Sequence, residues 1–292
     1  MAFLSDVLMF KSVKIATTDQ VFLQLELFQA DPALTVIVNP AIGVKRRMYH
    51  HFASFLSERG ITVVLYNYRG MEDGLDNFSL DTPLDAETWG RIDQSAVIDW
   101  VHQQIQPKKL YLLGHSLGGQ IPGFAHNINT INGLLLVAAQ KGDKRLWPFF
   151  GYLKLYLLWH VLIPLMSKGP FFNASKLGLG SYPWPSAATK QWASWGQQKD
   201  YLFNSKFNYD LRSWHDFNKP ILSYGFTDDH MAPEAAVDGL LDEYGRNHDQ
   251  HLIEKHMVDP HLLDINAIGH FGFFRSTAQP LWQDIITWIN NN

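Results

Sequence analysis

Gly114-His115-Ser116-Leu117-Gly118 sets a serine hydroxyl two residues from a glycine on either side. The stretch follows the apolar run LYLL and precedes GQIPGFAH, which can open a helix. A strand, a sharp turn and a helix form the setting in which a serine becomes a nucleophile. The turn thrusts the hydroxyl clear of the sheet, and side chains two positions away would collide with the adjoining strand and helix. The helix would also aim its free N–H groups and positive dipole end at the serine, where negative charge develops during attack on a carbonyl. The amide of Leu117, next in the chain, is suited to stabilise that charge. The plainer alternative is a glycine-rich turn whose serine only caps the helix. A serine alone is a weak nucleophile and needs a base and an orienting acid.

The elements that must position such a group follow from hydrophobic periodicity. SVKIAT (12–17) and VFLQLELF (21–28) predict a hairpin, the second run alternating apolar and polar residues. LTVIVN (34–39) predicts a buried strand ending in the tight loop Pro40-Ala41-Ile42-Gly43. A helix closing on a glycine is expected over 48–60, a second buried strand over 61–70 and an amphipathic helix over 86–104. Strands follow at 109–114 and 132–140. The alternation then breaks until PILSYGF (220–226), HLIEKHMV (251–258) and a closing helix at 278–290. Strands alternating with helices of this length imply an α/β fold, a mostly parallel sheet covered on both faces.

Composition narrows the function classes. The chain has 292 residues, 46% of them hydrophobic, and a formal net charge of -4, which excludes a uniformly basic nucleic-acid binder. The absence of cysteine excludes disulfides, thiolate metal sites and cysteine catalysis. MAFLSDVLMFKSVK has no basic start and no small-residue cleavage site, and Asp6 interrupts its apolar part, so a cytoplasmic protein is expected. Residues 141–215 differ from the rest: they hold 17 aromatic residues, six of the ten tryptophans, and ten Lys and Arg against three Asp. That segment reads as an inserted basic, aromatic cap of +7 between two parts, 1–140 and 216–292, of a body of -11.

VIVNPAIG, VLYNYRG, LYLLGHSLGG, PILSYGFTDDHMAP and AIGHFGFFR together resemble the α/β-hydrolase superfamily over nearly the whole chain outside the cap. The resemblance implies the chain order Ser, Asp, His. It assigns the acid to Asp229, four residues before Pro233, with Asp228 the alternative if counting starts from Gly225. It assigns the base to His270, in a glycine-flanked loop after the last strand, with His261 as fallback. The oxyanion hole would then combine the amides of Leu117 and Ala41, Ile42 being the fallback, because Asn39-Pro40 stands where relatives carry His-Gly.

The implied reaction is acyl transfer to water through an acyl-enzyme, as in an esterase, lipase or thioesterase, on a small-molecule acyl substrate and with no cofactor. An acyltransferase or amidase would use the same residues, and a binding module without catalysis could use the same fold. A metal reading of His248, His251, His256 and His261 matches no common ligand spacing. LWPFFGYLKLYLLWHVLIPLM (146–166) is almost wholly apolar, but Lys154, His160 and two prolines argue against a membrane span. It reads as a cap helix packed on the body or as an interfacial lid that meets acyl chains or an anionic lipid surface; a dimer interface, a substrate tunnel or both are further readings of the apolar cap.

Overall fold

In the computed structural model, described at residues 10–72, 82–177, 179, 182–248 and 252–292, the chain builds one eight-stranded sheet. Residues 1–9 of the stretch read for targeting, and His251, lie outside these residues. The strands are β1 (Lys11–Ala16), β2 (Phe22–Phe28), β3 (Leu34–Asn39), β4 (Thr62–Tyr66), β5 (Lys109–His115), β6 (Gly133–Val137), β7 (Ile221–Phe226) and β8 (Ile253–Val258). Their spatial order is β1-β2-β4-β3-β5-β6-β7-β8. The β1–β2 and β2–β4 pairs are antiparallel; from β4 to β8 every pair is parallel. The central strands are buried on both faces, which is why they read as unbroken apolar runs instead of alternating ones.

Two apolar clusters, one for each face, hold the layers together. Helices α1 (His50–Ser57) and α7 (Gln279–Asn291) cover one face, where Phe52, Phe55 and Trp282 meet edge to face. The other face takes α2 (residues 86–105), started by Asp85, whose carboxylate accepts from the Thr88 amide at 2.9 Å. After the serine, α3 (Leu117–Gln120) lasts a single turn; the segment expected to continue as a helix passes into a 3₁₀ turn at Pro122–Phe124, because proline offers no N–H to an α-helical ladder.

Residues 141–215 carry α4 (Phe149–Met166) and α5 (Ser186–Gln197). Their aromatic residues are continuous with the body: Trp159, Trp195 and Trp214 belong to the same apolar cluster as Trp89 of α2. Trp159 lies on Gly196 and Trp214 on Gly123, where a β-carbon would fall 2.3 and 2.2 Å from the indole. Helix α6 (Glu234–Leu241) follows β7, and just beyond it Glu243 collects both ends of the segment. Its carboxylate, 1% exposed, lies 2.6 Å from Lys141 Nζ and 3.1 Å from His215 Nε2, with Arg246 at 2.7 Å. Removing a buried carboxylate so surrounded takes from the buried Lys141 its nearest anionic partner. Glu243→Ala is expected to lower stability by about 3–5 kcal/mol in denaturant unfolding. Limited proteolysis of this variant should cut first within 141–215.

Candidate active site

Ser116 occupies the turn between β5 and α3 at φ 53°, ψ -118°, a backbone strain that a non-glycine residue keeps only when its surroundings enforce it. The enforcing contacts are visible. A β-carbon at Gly114 would fall 2.4 Å from Gly119 Cα, and one at Gly118 would fall 2.3 Å from the Asn39 carbonyl oxygen. Strand register brings the same loop across from another direction, since Asn39 at the end of β3 faces Gly114 on β5. Asn39 is itself fixed, donating to Gln94 at 2.6 Å and accepting from the Tyr66 hydroxyl at 2.7 Å.

The serine, the histidine and one aspartate form a continuous chain. Ser116 Oγ donates to His270 Nε2 at 2.8 Å, and His270 Nδ1 donates to Asp229 Oδ2 at 2.7 Å. All three are buried. The other Asp229 oxygen accepts the amides of Met231 (2.8 Å) and Ala232 (3.2 Å), so the carboxylate cannot rotate away from the ring. Asp228 has a different task. Its two oxygens accept the amides of Ile268 and Gly269, both at 2.9 Å, and so hold the loop that carries His270. Gly269 passes through φ 53° in that loop, a left-handed turn that favours glycine. His261 is exposed and bonds through its backbone amide to Asp259, away from this constellation. Among the described residues no three His, Asp or Glu gather as metal ligands would.

One site expectation requires correction. The Ala41 amide, assigned to the oxyanion hole, donates instead to the Tyr49 hydroxyl at 3.0 Å. The Ile42 amide, the fallback, has no hydrogen-bond partner among the described residues, and neither has that of Leu117. The reason is a relay that spacing alone did not reveal. Tyr49 donates to His115 Nδ1 at 2.9 Å, and His115 Nε2 lies 2.8 Å from the His270 carbonyl oxygen. A carbonyl only accepts, so Nε2 carries the proton and Nδ1 accepts. One neutral imidazole thus ties the Ala41 loop, α1, the serine turn and the histidine loop together.

The segment 141–215 adds a further residue that the motifs did not indicate. Trp184 packs over Gly43, whose β-carbon would fall 2.0 Å from the indole nitrogen, and that buried N–H has no partner. A cavity of about 670 Å³ opens nearby, lined by Gly43 next to Ile42 and by Phe271 next to His270. Its lining includes the apolar Val44 and Phe274 and the basic Lys45, Arg47 and Arg275, with no carboxylate among the lining residues.

The fold and these residues agree with sequence comparison: residues 36–277 match the Alpha/beta hydrolase family, and the chain belongs to it. Among solved structures, an esterase from Exiguobacterium antarcticum superposes with a TM-score of 0.63 at 15% identity, over 96% of this chain and 100% of that one. The Pyrococcus furiosus esterase superposes at 0.63 and 12% identity over 97% and 91% of the two chains. A bromoperoxidase from Bacillus anthracis does so at 0.60 and 13%, over 97% and 100%. At these identities the likeness is one of fold. No curated protein matches the sequence.

Burial, reinforced by the neighbouring His270, pulls His115 from its ordinary 6.5 down to about 3. The folded state therefore refuses a proton that the unfolded chain accepts, and stability present above 6.5 drains away as pH falls toward 3. Between neutral pH and pH values near 4, the wild type should lose on the order of 1 kcal/mol more per pH unit than His115→Gln. Denaturant unfolding across that range tests this; parallel curves would mean that the imidazole titrates normally.

Proposed function

We propose that the protein is a serine hydrolase that cleaves a carboxylic ester or thioester of an apolar acyl group through an acyl-enzyme. The observation that carries this reading is the unbroken Ser116–His270–Asp229 hydrogen-bond chain, at 2.8 and 2.7 Å, at the strained turn. Membership of the hydrolase family supplies the reaction class.

In this reading Ser116 Oγ attacks the carbonyl carbon as its proton passes to His270 Nε2. The oxyanion is met by the amides of Leu117 and Ile42, which have no competing acceptor. The bond to the leaving group breaks as Nε2 returns the proton to the departing alcohol or thiol. Water then gives its proton to the same nitrogen and attacks the acyl-enzyme, and the serine recovers the proton as the acid departs. Asp229 holds the ring in the tautomer that makes each transfer possible and stabilises its charged form. Preorganised donors of this kind contribute about 3–4 kcal/mol each to transition-state stabilisation. The aromatic interior of the cap and the apolar lining beside Ile42 favour an acyl chain. The three cations lining the cavity favour a substrate whose other end is anionic.

A fluorophosphonate probe is expected to label the wild type and to leave Ser116→Ala unlabelled. Asp229→Asn should lower kcat on an acyl p-nitrophenyl ester by about 10⁴-fold with little change in KM. Asp228→Asn, which loosens the loop without touching the ring, should fall well short of that loss. An unlabelled wild type with an intact fold would reduce the protein to a binding module.

A further inference from the structure

Among the described residues, the outer face of α4 carries the longest run of exposed large apolar side chains. Phe149 and Phe150 are 70% and 76% exposed, and Leu153, Leu157, Val161 and Leu165 continue the exposure at spacings of three and four residues. These spacings put them on one side of the helix, while Trp159 and Ile163 hold the opposite side against the body. Soluble surfaces rarely carry an apolar stripe of this length without an occupant.

We propose that this face docks flat onto an anionic bilayer surface. Charge selects that occupant over a second copy of the chain. Lys154 stands within the stripe and Lys168 just beyond it, both exposed and neither in an ion pair among the described residues. The three aspartates of the cap are all engaged by arginine or lysine, Asp143 and Asp200 near Arg145 and Asp210 by Arg212. An apolar face flanked by unneutralised ammonium groups suits acyl chains beneath phosphate headgroups, whereas a two-fold contact would bring two copies of Lys154 toward each other. Spanning is disfavoured because the inner side, with Trp159 seated on Gly196, would have to leave the core. The docked end is also tied to the chemistry, since the Trp147 indole N–H donates at 3.1 Å to the carbonyl of His230, one residue after Asp229. Docking does not depend on the reaction proposed above, and its test is kept separate.

Flotation of the full chain with vesicles of phosphatidylcholine and phosphatidylglycerol in equal amounts, and of phosphatidylcholine alone, decides the question. The wild type and Ser116→Ala should float alike with the mixed vesicles and much less with the neutral ones, the difference shrinking at high salt. Phe150→Ser and Leu157→Ser should each weaken partitioning about tenfold. Lys154→Glu/Lys168→Glu should remove most of the preference for the anionic lipid. Circular dichroism and, for variants that retain Ser116, fluorophosphonate labelling establish that each variant is folded. A folded wild type that does not float, or that floats as well after the apolar substitutions, overturns the proposal. So does a dimer in sedimentation equilibrium that Phe150→Ser dissolves while no form of the protein floats.

Discussion

Everything chemical in this molecule depends on one backbone reversal. Ser116 is held at a positive φ because β5, α3 and the loop after β3 converge on it more closely than any side chain at 114 or 118 would allow. The strain is local, but its support is distributed. Asn39 is fixed by Gln94 of α2 and by Tyr66 of β4, so the crowding that keeps the serine proud involves three strands and two helices. Packed interiors yield in steps instead of bending smoothly, which makes such a turn rigid. The geometry of the serine turn is thus a property of the sheet as a whole.

The division of labour between Asp228 and Asp229 shows how little sequence distance separates chemistry from scaffolding. One side chain orients the imidazole and its neighbour grips the peptide on which that imidazole rides. His115 adds a third hold on the same loop through the His270 carbonyl. A ring restrained at its nitrogen, at its own carbonyl and at the two preceding amides has little freedom to leave the serine.

The strands and their parallel arrangement were legible in the sequence because they depend on local β-branched runs, whereas Asp229 and His270 were named through the family resemblance, and the structure joins them to Ser116 in one hydrogen-bond chain. What escaped depends on contacts distant in sequence. Nothing local to Pro40-Ala41-Ile42 says which amide is free; the Tyr49 hydroxyl decides that, and Tyr49 is placed by α1. The one-turn length of α3 goes with Pro122, which has no N–H to continue the helix. In α4 the run is apolar on every side, so periodicity could not tell the packed face from the open one. Trp184 carried no signal at all, since only the fold brings it to Gly43.

Lys141 and His215 meet on the single carboxylate of Glu243. The intervening 73 residues therefore depart from and return to almost one point on the body. A segment anchored in this way behaves as a closed loop, and the entropy of closing a loop grows only logarithmically with its length. The spacing of β6 and β7 is consequently indifferent to how much chain lies between them. Lineages could lengthen, shorten or exchange this excursion without shifting the register of a single strand.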